Sequence, residues 1–287
     1  MTRSSRSRIE RRRAKARKES EPSQLTQPSA SSRTPPADVR RELRREVGFG
    51  CPVPNCCNPF LEWHHFDPPW SIEHHHRPQG MVALCVLHHK QADGGAFTRD
   101  QLREFKNNAT ANPTVSARFN WLRNDMLIAA GGTLFQDVRV IFQYRDLPVI
   151  WLHRSESGHQ LLNVRMLSTS HERRLWVENH DFILQGDPVD MECPPTGRIL
   201  KVKYKNGDRV DVEFYDIASI DELTKHFPQT ASVVSSGIQL TTPITVCEVG
   251  YAVGGTRIRF RPASMEMPGF TTRGGFMRRG NIAIQLN

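Results

Sequence analysis

Cysteine and histidine concentrate in one stretch, residues 51 to 93, which reads CPVPNCCNPFLEWHHFDPPWSIEHHHRPQGMVALCVLHHKQAD. It holds four of the six cysteines and most of the histidines. Cys51 and Cys56 flank a proline-rich turn, and Cys85 and His88 follow with two residues between them. A thiolate pair on a tight loop, then a second soft pair downstream, is the layout of a closed four-coordinate structural zinc site. Its ligands are read as Cys51, Cys56, Cys85 and His88. Beside them lies a second polar set, the His64-His65 doublet after Phe60-Leu61, and His89 with Asp93. Residues four apart on a helix share a face, so His89 and Asp93 can grip one ion together. The pattern predicts two centres, one that holds the fold and one that does chemistry.

Short elements must position these side chains. Val39, Leu43 and Val47 recur at helical spacing, and Phe49-Gly50 ends that helix before the first cysteine turn. Two short strands are expected over residues 60–66 and 79–84. A helix from about Leu87 then carries His88, His89 and Asp93 until Gly94-Gly95 stops it. Thr98 and Gln101 form a capping box for a further helix with Leu102 and Phe105 on its inner face. Neighbours on an ideal strand face opposite ways, so His64 and His65 can serve one centre only at a strand end or bend. Asp67-Pro68-Pro69 supplies such an end.

Beyond Asn107 the composition changes. A helix is expected around residues 119–128, and from Thr133 onward short alternating runs with turn signals predict a β region. One hairpin is specified in register. A two-residue Asn206-Gly207 turn would set Lys203 opposite Val210 and mix the faces. A three-residue loop with Gly207 left-handed instead pairs Val202 with Val210, Leu200 with Val212 and Lys201 with Asp211. A helix signal interrupts the strands at residues 220–225. Arg257, Arg259 and Arg261 alternate with Ile258 and Phe260, giving one basic face that is either solvated or in contact with phosphates. His180, Cys193 and Asn206 stand singly and read as core or turn residues.

At 287 residues the chain has room for two domains. The net charge of +9 is uneven, because residues 1–20 hold nine Lys or Arg against two Glu, leaving about +2 for the remainder. Arg11, Arg12, Arg13, Lys15, Arg17 and Lys18 in this tail are candidate phosphate contacts that would not read sequence. A Ser, Pro, Gln and Thr-rich linker follows to Pro36. No apolar run approaches the ~20 residues of a membrane span, and no signal peptide is visible. Clustered Cys and His suit a reducing compartment, so a cytoplasmic location is expected.

The 51–93 stretch resembles the HNH endonuclease family of ββα-metal nucleases, in its zinc-stapled subgroup. The similarity spans residues 45–107 and rests on Cys51/Cys56, the His64-His65 doublet ahead of a proline, and Cys85-x-x-His88-His89. It implies that His64 binds the catalytic metal and that His65 is the general base activating water. His89 is then a further metal ligand, and Asp93 the ligand one helical turn later. There are departures. The family's bracing Asn would fall near Gly80, with His75 or His76 available in its place. His88 stands for the last zinc cysteine, a ligand zinc accepts. Cys57 competes with Cys56, which gives the shorter loop.

The resulting expectation is an α+β chain. A disordered basic tail and linker (1–36) precede a small ββα-metal (HNH) domain with flanking helices (37–110). A mainly-β domain of unknown role (111–287) follows. The implied function is metal-dependent hydrolysis of phosphodiester bonds in a nucleic-acid partner, with DNA the expected substrate and no membrane involved. The implied cofactors are structural zinc and a catalytic Mg, Mn or other divalent ion. The rival is a catalytically inactive zinc-stapled DNA-binding or targeting module. A third reading puts the main function in the β region, as a sensor or partner-binding module.

Overall fold

Helix α1 (Ala37–Glu46) starts directly after the proline pair in the computed structural model, which describes residues 32–109, 114–231 and 240–287. Leu43 and Val47 are buried and Val39 packs beside them, as their spacing predicts. Gly48 and Phe49 take left-handed backbone conformations that turn the chain away from the helix. Strands β1 (Leu61–His65) and β2 (Met81–Cys85) pair antiparallel, with Leu61 opposite Cys85 and His65 opposite Met81. A 3-10 turn at Pro78–Gly80 leads into β2 and delays its start. Cys85 caps α2 (Val86–Asp93), which stops at Gly94. Thr98 and Gln101 make the full capping box of α3 (Arg99–Asn108), each backbone N–H donating to the other's side chain. All three helices pack on β2, whose five residues are all buried.

The other strands form one 15-stranded sheet. Its first members are β3 (Ser116–Arg118), β4 (Leu127–Ala130), β5 (Thr133–Tyr144), β6 (Leu147–Arg154) and β7 (Gln160–Arg165). Next come β8 (Trp176–Glu178), β9 (Asp181–Ile183), β10 (Pro188–Glu192), β11 (Ile199–Tyr204) and β12 (Arg209–Ile217). Helix α4 (Ile220–His226) interrupts the run at the position its sequence signals, and β13 (Ile244–Ala252) resumes it. The chain closes with β14 (Arg259–Arg261), β15 (Ser264–Met267), β16 (Phe270–Thr272) and β17 (Gly275–Leu286). The main path runs β10-β11-β12-β13-β4-β5-β6-β7-β8-β9-β3, with β17 lying parallel along β5. The β11–β12 hairpin has the argued register, Val202 opposite Val210, Leu200 opposite Val212 and Lys201 opposite Asp211, with Gly207 at φ 93°.

Two expectations are corrected. The chain is not a small ββα domain joined to a separate β domain. It is mostly β, 42% strand against 18% helix, with only four α-helices among the described residues. Thr34–Asn287 form one compact unit. Two five-residue strands bury too little to stand apart, and the segment is tied into the sheet. Arg44 of α1 grips Asp190 of β10 through Nε and Nη2 at 3.0 and 2.9 Å, while Phe49 and Phe60 join the core beneath the large sheet. The second correction concerns residues 119–128, which form no helix. Leu127–Ala130 are all buried as strand β4, parallel to β13 and antiparallel to β5. A continuous apolar run suits a strand covered on both faces, and helical periodicity loses to that burial.

Candidate metal centres

Four side chains from the first cysteine turn, the end of β2 and the first turn of α2 meet at one point. The Cys56 N–H donates to the Val53 carbonyl at 3.0 Å and the Cys51 N–H to the Asn58 carbonyl at 2.9 Å, closing the turn. The ligand atoms of Cys51, Cys56, Cys85 and His88 lie within 4.8 Å of one another and can hold a metal ion. Cys56 takes the fourth place, and Cys57 is not in the cluster. His88 Nδ1 is 3.3 Å from Cys51 Sγ and 3.2 Å from Cys85 Sγ. The Cys56 and Cys85 sulfurs are 3.7 Å apart, and both cysteines are free. Burial pushes the Cys51 and Cys56 thiols up and the His88 imidazole down. The imidazole is thereby kept in the neutral form a metal accepts, and a metal ion bound here would take the cysteines as thiolates.

The second cluster is built by β1 and α2. Alternation along β1 puts Glu62 and His64 on one face, and α2 presents His89 and Asp93 one turn apart. The ligand atoms of His64, His89 and Asp93 also lie within 4.8 Å of one another. His64 Nδ1 is 3.3 Å and His89 Nε2 4.0 Å from Asp93 Oδ1. The two imidazole rings meet edge to face with centroids 5.4 Å apart. Glu62 Oε2 lies 2.7 Å from His89 Nδ1, which assigns the proton to Nδ1 and leaves the Nε2 lone pair facing Asp93. That Nε2 is buried and makes no hydrogen bond. A buried lone pair opposite a carboxylate and a second imidazole fits a divalent ion, with Glu62 orienting the ligand from behind. The side chains of Asp93 and Glu62 are 35% and 34% exposed, so the cluster opens to solvent on their side.

His65 lies on the other face of β1. Pairing continues to His65–Met81, so its ring leaves the strand opposite to that of His64. It packs against Trp70, His75 and His76, with centroids at 4.7, 5.3 and 5.7 Å, and is 2% exposed. Trp70 stacks in turn on His74 and His76. His75 is fixed at both nitrogens: Nδ1 accepts the Arg77 N–H at 3.1 Å, and Nε2–H donates to the Pro68 carbonyl at 2.9 Å. Gly80 sits against this loop. A Cβ there would fall 2.0 Å from the Asp67 carbonyl oxygen and 2.9 Å from the His75 ring, so the loop bearing His75 excludes asparagine at position 80.

Glu62 is the site residue the sequence reading missed. Its signal was present, since a carboxylate two residues before His64 on a strand must share that histidine's face. The tail residues Arg11, Arg12, Arg13, Lys15, Arg17 and Lys18 lie outside the described residues. The arginine stripe behaves as a solvated face, with Ile258 and Phe260 buried, Arg259 exposed and Arg261 paired with Glu266 at 2.9 Å. His180 and Cys193 are buried, and Asn206 belongs to the hairpin turn. No helix among the described residues is long and apolar enough to cross a membrane. Comparison with family models, curated proteins and solved structures returns no match.

Proposed function

We propose that this chain is a metal-dependent endonuclease of the HNH kind that hydrolyses phosphodiester bonds in DNA. It would carry structural zinc at Cys51, Cys56, Cys85 and His88, and a divalent ion such as Mg or Mn at His64, His89 and Asp93. The observation that carries this reading is the convergence of His64, His89 and Asp93, with His89 oriented by Glu62. Zinc–sulfur bonds of about 2.3 Å in a tetrahedron call for sulfurs about 3.8 Å apart. The Cys56–Cys85 separation of 3.7 Å agrees, which supports zinc in the first centre. The mixed nitrogen and oxygen donors of the second do not select sharply among divalent metals. An ion held there supplies Lewis-acid stabilisation of the charge that grows on the phosphate and leaving oxygens.

His65 is proposed as the base. His65 is the last residue of β1, at the strand end where neighbouring side chains can reach one phosphate. An imidazole can take a proton from water at neutral pH. The cover of Trp70 and His76 over His65 requires the 66–77 loop to shift when phosphate enters. The same cover supports the rival reading, a zinc-stapled DNA-binding module without cleavage. In either case the tail residues Arg11, Arg12, Arg13, Lys15, Arg17 and Lys18 would add sequence-independent phosphate contacts.

Cleavage of supercoiled plasmid, titrated with Mg and Mn beside His65→Ala and Asp93→Ala, separates the two. Metal-dependent nicking that vanishes in both variants, with zinc content unchanged, is the expected result. A wild type that shifts DNA in a gel but leaves plasmid, single strands and RNA intact with each metal would overturn the nuclease reading in favour of the binding module.

A further inference from the structure

The large sheet ends in β10, β3, β16 and β17, each paired with a single neighbour among the described residues. Most of these edges are protected. β10 is met by α1 through Arg44 and Asp190, and β3 and β16 are each 3 residues long. Short or covered edges offer little template to another chain. β17 is the exception. It runs for 12 residues, with β5 on one side and, among the described residues, no strand on the other. At the usual rise of a strand this free edge is about 40 Å long. Residues 280–286, Gly-Asn-Ile-Ala-Ile-Gln-Leu, hold no charge and no proline, the usual guards of such an edge. None of them is buried, and Ile282 is 37% exposed. Their order identifies a partner. Around Ala283 the chain reads amide, isoleucine, alanine, isoleucine, amide, the same in both directions. Antiparallel pairing of two copies about a dyad at Ala283 therefore sets each side chain against its chemical equivalent. Ile282 meets Ile284 of the second copy on one face, and Asn281 meets Gln285 of the second copy on the other. Arg279 falls opposite Asn287, so no like charges meet.

We propose that β17 is the interface of a homodimer, its free edge pairing antiparallel with β17 of a second copy across a two-fold axis at Ala283. Backbone N–H and C=O groups supply the bonds, and the isoleucine and amide pairs set the register. Such an isologous contact closes on itself, so association stops at two copies. β17 contributes no ligand to either metal centre, and the interface does not depend on the nuclease reading.

Sedimentation velocity of the full chain over a dilution series tests this, beside two double variants. Asn281→Lys with Gln285→Lys sets lysine against lysine at both amide positions of the dyad. Asn281→Lys with Gln285→Glu sets lysine against glutamate at the same positions. Both native side chains are exposed, so each variant keeps the folded monomer, with thermal melting as the check. A concentration-dependent dimer is expected of the wild type. Its dissociation constant should rise about tenfold or more with the two lysines, and the lysine–glutamate variant should still dimerise. A wild type that stays monomeric up to about 0.1 mM overturns the dimer. So does a pair of variants that associate alike, since only the antiparallel register at Ala283 distinguishes them.

Discussion

Glu62 and His180 show how one contact sets the chemistry of a histidine. Glu62 holds the proton of His89 on Nδ1 and so keeps Nε2 available as a ligand. Glu62→Gln retains the shape but loses the charge behind the imidazole. Metal affinity at the second centre should fall about 10–100-fold, read by Mn titration, with zinc content unchanged. His180 illustrates the opposite case, an imidazole kept neutral by burial. Its Nδ1 accepts the Leu162 N–H at 3.0 Å, and its ring packs on Phe119 and Phe214. Burial pushes its pKa down to about 4, the Trp121 carbonyl opposing and Arg118 adding to the shift. The unfolded chain, titrating near ~6.5, takes up a proton in that interval that the folded chain refuses. Stability is therefore full above pH ~6.5 and falls by roughly 3 kcal/mol as pH drops towards 4. Melts across this range should show the slope, and His180→Gln should flatten it.

At the scale of elements, the β1–β2 pair and α2 account for which residues meet. The cysteine turn, Cys85 at the cap of α2 and His88 in its first turn follow from local signals, and those four ligands were legible in the sequence. So was the pairing of His89 with Asp93. The position of His65 was not, because it depends on how far β1 stays paired, and pairing continues to His65 itself. Gly80 carries the element-scale prediction. An asparagine there meets the Asp67 backbone at once, so Gly80→Asn should cost more than about 2 kcal/mol. A melting curve of that variant matching the wild type would show that the 66–77 loop yields freely.

Across the whole molecule, the joint between the cysteine- and histidine-rich segment and the large sheet rests on Arg44 and Asp190. The Arg44 side chain is 9% exposed and Asp190 21%, so removing the carboxylate leaves a guanidinium with little water to replace it. Asp190→Ala should cost roughly 2–3 kcal/mol by denaturant unfolding, much more than an exposed ion pair such as Arg118–Asp181. The joint was invisible in the sequence because its partners lie 146 residues apart in the chain. The same is true of β17 on β5, whose parallel pairing joins the last strand to one of the first in the sheet.

The sequence by itself determined the local features. These are the α1 stripe of Leu43 and Val47, the capping box of Thr98 and Gln101, the β11–β12 register, and the two sets of side chains that could hold a metal ion. The stripe, the capping box and the register are written within a few residues, and each metal-site set within one stretch of about forty, in spacing that fixes which groups share a face. Only the tertiary structure decided that residues 127–130 become a central strand and that the metal segment belongs to one unit with the sheet. It alone turned His65 under Trp70 and placed Glu62 behind His89. Those outcomes turn on which buried surfaces compete for the same neighbours, a long-range balance of burial that no local pattern encodes.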